Sequence, residues 1–292
     1  MGIFANPLTD LLEYEDFSRD FLKGTDPVGM TGCIDSEKVH FMSTFLGEKK
    51  VQLVVTYSEQ RAREIEEDYK LFCSQVYVIP PRDLIFFSAD LQGNAIIAER
   101  MKAFAALYQN EAKVIITTMD ALMSAAVPFE QLMSHVIKLK EGDELDLEKL
   151  KHDLTVMGYE RVGRVEEPGQ FTVHGGIADV YPLTMEVPVR IELWGDEIDS
   201  IRSFDPESQR SLENLEELTI YPAVEHIGDK DMVSFLDYFP EERTIIFLDE
   251  PNRLTEKGGA VEEEYRQSRM HREEKGSRNL PENWLCSFEQ LQ

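Results

Sequence analysis

Cations are scarce in this 292-residue sequence. It holds 30 Lys and Arg against 56 Asp and Glu, a formal charge of −26. No run of basic residues appears in it. A chain this acidic is repelled by phosphate backbones unless it concentrates its Lys and Arg locally, so bulk nucleic-acid binding by this chain alone is not expected. Cysteine is also sparse. Cys33, Cys73 and Cys286 are widely spaced, odd in number and match no zinc spacing, which points to reduced thiols and a cytoplasmic location. No apolar run reaches the roughly 18 residues of a membrane span, so no membrane partner is expected. The first ten residues, MGIFANPLTD, lack the basic and apolar regions of a secretory signal, and Met1-Gly2 has no second lipid-anchor signal beside it. The histidines (His40, His135, His152, His174, His226, His271) form no HExxH pair, and no GxSxG is present. Zinc-protease and serine-hydrolase chemistry are therefore not expected, and no metal site is.

What is present is ordinary for a globular protein, with 42% hydrophobic and 29% charged residues, and the length suggests two domains. Asn6-Pro7 opens a helix that Gly24 stops. A loop from Gly29 to Ser36 leads into helical EKVHFMSTFL. Apolar strands at 51–56, 75–79 and 113–118 alternate with helices, one capped by Ser58 and running to Phe72, another at about 95–108. This spacing predicts an α/β unit with a parallel sheet and helices on both faces. After Val127-Pro128 the pattern changes to a strand at 135–139, a helix ending near Gly158, and short alternating strands joined by glycine-rich turns as far as Pro222. That reads as α+β with antiparallel hairpins. The apolar strand TIIFL at 244–248 then returns. The expectation is a parallel-sheet domain over 1–126, an inserted α+β domain over 127–222, and the first domain resumed over 223–292, with a helix around 260–274. The final SFEQLQ carries no terminator and suggests a piece of something longer.

Two constellations bear on nucleotide chemistry. A phosphate loop needs GxxxxGK[ST], with a glycine for close backbone approach, a lysine for charge and a hydroxyl for magnesium. Gly29, Gly32 and Ser36 fit after a presumed strand, but Ile34 stands at the second glycine and Asp35 at the lysine. Lys38 is expected on another face of the helix. The loop is thus expected to be inactive, with no cofactor for this segment. Asp249 and Glu250 follow TIIFL at the Walker-B position, where an acid holds magnesium and its neighbour orients water. The competing reading is a strand end with solvated acids.

The remaining candidate is a strand face. From Val187 to Trp194 the sequence alternates, placing Val187, Val189, Ile191 and Leu193 on one side and Pro188, Arg190, Glu192 and Trp194 on the other. In Gln170–His174, Phe171 and Val173 face inward while Thr172 and His174 face outward. Arg and Trp on a wet face are binding hot-spot types. The alternative is a covered face with Trp194 folded beside the Gly195-Asp196 turn, and pattern alone does not separate the two.

The stretches GQFTVHGGIADVYP, VPVRIELWGDEIDSIRSFDPESQRS and ELTIYPA resemble the UvrA-binding domain shared by UvrB and the bacterial transcription-repair coupling factors (the Mfd family), and FDPESQRSLE resembles the latter more. The resemblance implies a degenerate RecA-like domain interrupted by a UvrA-binding domain. It carries UvrA contacts onto Arg161, Thr172, His174, Arg190, Glu192 and Trp194. Thr172 and His174 replace basic residues of the family, which removes full charges at those two positions. Glu192 either meets the partner or only holds Arg190 or Arg161. The resemblance further implies a much longer parent, with a motor using ATP and Mg, contacts to RNA polymerase and DNA made by other parts, and a C-terminal domain masking the UvrA face. The expected role of this segment is a non-catalytic adaptor. The alternatives are a UvrB-like nucleotide-binding helicase subunit and a direct DNA-binding module.

Overall fold

The computed structural model describes residues 14–23, 27–82, 91–225, 232–274 and 285–286. Along them run α1 (Tyr14–Lys23), α2 (Ser36–Ser43), β1 (Val51–Thr56), α3 (Glu59–Tyr69), β2 (Val76–Ile79), α4 (Leu91–Tyr108), β3 (Val114–Thr118), α5 (Met119–Met123) and α6 (Phe129–Met133). Next come β4 (Ile137–Lys140), α7 (Leu147–Val156), β5 (Glu160–Arg161), β6 (Gln170–His174), β7 (Ile177–Val180), β8 (Val189–Trp194), β9 (Glu197–Phe204), β10 (Ser211–Asn214) and β11 (Glu217–Ile220). Finally, β12 (Thr244–Leu248) leads to α8 (Pro251–Glu274). The helix opening expected at Asn6 lies outside the described residues.

Strands β12, β1, β3 and β2, in that order, form a four-stranded parallel sheet. Every residue of β1 and β3 is buried, as a parallel sheet covered on both faces requires. One face packs Leu53, Val55 and Ile115 against Met101 and Phe104 of α4 and Leu254 of α8. The other packs Val54, Val114 and Ile116 against Val39 and Met42 of α2 and Ala62, Ile65 and Tyr69 of α3. The one side-chain amide in β1, Gln52, is bonded at both ends: it donates to Met42 O (3.0 Å) and accepts from Tyr69 Oη (2.8 Å). Ser58 caps α3 as expected, accepting from Arg61 N, though α3 ends at Tyr69. Helix α8 begins at Pro251, well before the expected 260. Gly258-Gly259 lies inside it, at a cost of about 1 kcal/mol each relative to alanine in a helix interior. Burial of Leu254 and Val261 against the sheet offsets that cost.

Between β3 and β12 in sequence lies an α+β unit. Its six-stranded sheet has the order β10-β9-β8-β7-β6-β5, antiparallel except for the β5–β6 pair, and β11 pairs with β4 in a second, two-stranded sheet. Phe171, Val173, Ala178, Val180, Val189 and Ile191 meet Leu150 and Leu154 of α7 in a separate core. The two-residue turns at Gly175 (φ 60°) and Gly195 (φ 68°) put a left-handed glycine first, as tight hairpins of right-twisted strands require. Leu132 and Met133 of α6, although beyond Val127-Pro128, pack in the parallel-sheet core.

Candidate functional site

The hairpins β6–β7 and β8–β9 make one continuous sheet face away from the core. Register defines its rows. Thr172, Asp179, Arg190, Arg202 and Asn214 lie side by side across five strands. The next row holds His174, Ile177, Glu192 and Ser200, and beyond it Trp194 pairs with Glu197. An irregularity in β9 after Glu192 leaves Asp199 without an opposite residue. The expected inward and outward alternation of β8 is present: Val189 and Ile191 are fully buried, and Trp194 is 84% exposed. Trp194 is therefore not folded down beside the Gly195-Asp196 turn.

Charge on this face is arranged in cross-strand pairs. Arg190 Nε and Nη2 each donate to Asp179 at 2.8 Å, and Nη2 also donates to Gln209 Oε1 (3.2 Å). Its guanidinium lies 4.7 Å from the ring centre of Phe204. The hydrogen bonds to Asp179 raise the Arg190 pKa further, keeping it charged. Glu192 accepts from Arg202 and from Ser200 Oγ (3.3 Å). Its intradomain partner is thus Arg202, not the Arg190 or Arg161 expected from sequence, because register sets Arg202 and Ser200 beside it.

Of the three other expected positions, one falls as expected and two do not. His174 is exposed, as expected, whereas Thr172, expected outward, is only 6% exposed at the end of its row. Arg161 is exposed in the two-residue edge strand β5, where register aligns it with core-facing Phe171 and not with Thr172 or His174. Sequence reading missed Asp179, Arg202 and Ile177. Each is a cross-strand neighbour of a predicted residue, and for Asp179 and Arg202 the only signal was a charged residue inside an apolar strand at IADV and IRSF.

The loop near Gly29 differs from expectation. No strand precedes it among the described residues, and 27–35 is irregular up to the first turn of α2. Ile34 is exposed and Asp35 adopts φ 43°, unusual for a non-glycine residue. Lys38 is not on another face. Its ammonium donates to Asp249 (2.9 Å) and to Glu250. Asp249 is not solvated: it is 6% exposed and also accepts from Thr56 Oγ1 (3.0 Å) and Arg61 Nε (3.3 Å). One turn of helix from Asp35 brings the lysine under the end of β12. Burial alone would lower the Lys38 pKa, but the two carboxylates outweigh it and raise it. The three cysteines are unpaired, and no metal-ligand cluster occurs among the described residues.

These elements define a mainly antiparallel α+β unit set between strands β3 and β12 of a parallel-sheet unit, with Trp194 exposed on its sheet face and Arg190 and Glu192 half-buried on the same face. Residues 137–226, which contain all of β4 to β11, match the family model of the UvrB interaction domain. The chain is 33% identical over 220 residues to the transcription-repair-coupling factor of Staphylococcus haemolyticus, covering 74% of this chain and 19% of that protein. It is 32% identical over 243 residues to that of Staphylococcus aureus, covering 81% and 20%. For Staphylococcus epidermidis the identity is 31% over 238 residues. The chain thus contains a stretch that matches the UvrB interaction domain and is similar to the transcription-repair-coupling factors, spanning about a fifth of their length.

Proposed function

We propose that this chain is a non-catalytic adaptor module that recruits UvrA in nucleotide excision repair, at lesions where RNA polymerase has stalled. The observation that carries the reading is the 84% exposure of Trp194 on the same sheet face as Arg190, within the residues matching the UvrB interaction domain. A tryptophan buries about 150–250 Å², so covering it with a partner is worth roughly 4–6 kcal/mol before the costs of association. Nothing else in the described structure uses that surface. The remaining parts of this reading concern the longer parent: an ATP-dependent DNA translocase that displaces stalled polymerase, with DNA and RNA polymerase bound by other segments and a C-terminal domain covering the UvrA face. The location is cytoplasmic; no helix among the described residues is long and apolar enough to cross a membrane.

Co-elution with UvrA tests the docking face. Wild type should elute as a complex, and Arg190→Glu combined with Trp194→Ala should elute alone while still melting cooperatively, at a temperature lowered by the loss of the Arg190–Asp179 pair. Retained binding by that double variant would mean that another surface docks. The rival reading, a UvrB-like nucleotide-binding subunit, needs ATP beside Asp35 and a magnesium ion at Asp249. The ion pair from Lys38 to Asp249 speaks against it, since an ammonium already meets the carboxylate that would hold the metal.

A further inference from the structure

We infer that the docking face engages its partner through an apolar pair, Ile177 with Trp194, and that the partner offers an apolar hollow with a hydrogen-bond acceptor at its rim. The inference rests on the docking reading above and names the chemistry of that site. The strong charges of the two central rows are already answered from within. Arg190 is held bidentately by Asp179, and Glu192 by Arg202 and Ser200. These four charged residues sum to zero, a balanced patch on a chain of formal charge −26. Dismantling a formed, half-buried ion pair in order to remake it with a partner returns little, because each freed charge must be desolvated again.

What remains exposed on the face is an apolar pair, with His174 opposite Ile177 and Glu197 opposite Trp194 at its margin. Ile177 is 39% exposed and Trp194 84%. Ile177 sits directly opposite Glu192, and Trp194 is two residues further along β8, so the two side chains are diagonal cross-strand neighbours, within reach of an aromatic ring. The ground beside them is low. Gly175-Gly176 has no side chains, and a Cβ at Gly176 would lie 3.3 Å from Leu193 O. The polar group still on offer from Arg190 is Nη1, since Nε and Nη2 are committed. Two apolar side chains and the Arg190 Nη1 donor, beside a patch whose central charges are balanced, complement an apolar surface carrying an acceptor.

Affinity for UvrA, measured by isothermal titration with the full chain at low and high salt, tests this. Ile177→Ala should weaken binding several-fold by the same factor at both salt concentrations, because no charge is removed. Ile177→Asp should weaken it more than tenfold. Ile177→Ala with Trp194→Ala should lose less than the product of the two single losses, because both side chains fill one hollow. Wild-type affinity in both Ile177 variants, with Trp194→Ala or Arg190→Glu impaired, would overturn the apolar pair and leave the docking face standing. Wild-type affinity in Trp194→Ala and Arg190→Glu as well would overturn the docking reading itself. Position 177 is on the wet face, and Ile177→Ala keeps the test available if Ile177→Asp fails to fold.

Discussion

Arg190 is a positioned side chain before any partner arrives. Asp179 and Gln209 fix its plane, and the Phe204 ring beneath it restricts the rest of its motion. An arginine held this way gives up less side-chain entropy on binding than a free one, which is the advantage of preorganisation. Asp179 is therefore a positioning residue although it is nearly buried itself. Asp179→Asn keeps the shape and removes the charge. Leaving Arg190 half-buried without its counter-ion should cost about 2 kcal/mol of stability, read as a lower urea midpoint at unchanged slope. UvrA affinity should also fall, because Arg190 then samples other rotamers. Trp194 works the opposite way. Little holds it, and its removal should leave the urea midpoint unchanged while binding is lost.

At the scale of elements, α2 and β12 are joined by charge where a nucleotide enzyme would be joined by ligand. Lys38 on α2 reaches the buried Asp249 at the end of β12, and Arg61 on α3 approaches the same carboxylate. Lys38→Met should cost about 2 kcal/mol, since it strips one cation from a buried acid that Thr56 and Arg61 still hold. The raised Lys38 pKa means that this contribution is complete below about pH 10.5, the unfolded value, and is lost as pH rises through the higher folded value. Calorimetric titration of the wild-type chain with ATP and magnesium should give no heat of binding. A micromolar affinity would favour the UvrB-like alternative.

Across the whole molecule, α4 ties the two cores together. Its Met101 and Phe104 belong to the parallel-sheet core, while Ile97 and Ala98 pack on the core of the α+β unit. Arg100, on the same helix, is 1% exposed and is paired with Glu225, just past the end of β11, including a 3.0 Å bond from Nη2 to Oε2. Arg82 adds a second cation at 3.5 Å. Burial pushes Glu225 up, but Arg100 and Arg82 outweigh it and hold its pKa below the ordinary 4.5. A depressed carboxylate stabilises the fold above its unfolded pKa and loses that contribution as pH falls through the folded value. Thermal melts should therefore show the join weakening only below about pH 4.5. Glu225→Gln should be less stable at neutral pH and should flatten the acid limb of the profile. An unchanged acid limb in that variant would assign the acid sensitivity to other carboxylates.

The sequence by itself determined the alternation of β8, the buried strands of the parallel sheet, the change to antiparallel hairpins and the motifs resembling the UvrA-binding domain. These depend on side-chain period and turn residues, which are local properties of the chain. Only the tertiary structure decided the partners: Arg202 beside Glu192, Asp179 beside Arg190, Lys38 beneath Asp249, and Arg161 out at the sheet edge. Each of those pairings is set by strand register or by elements distant in sequence, as with the 211 positions between Lys38 and Asp249. A one-residue slip in register would reverse the faces while leaving the local pattern as it stands.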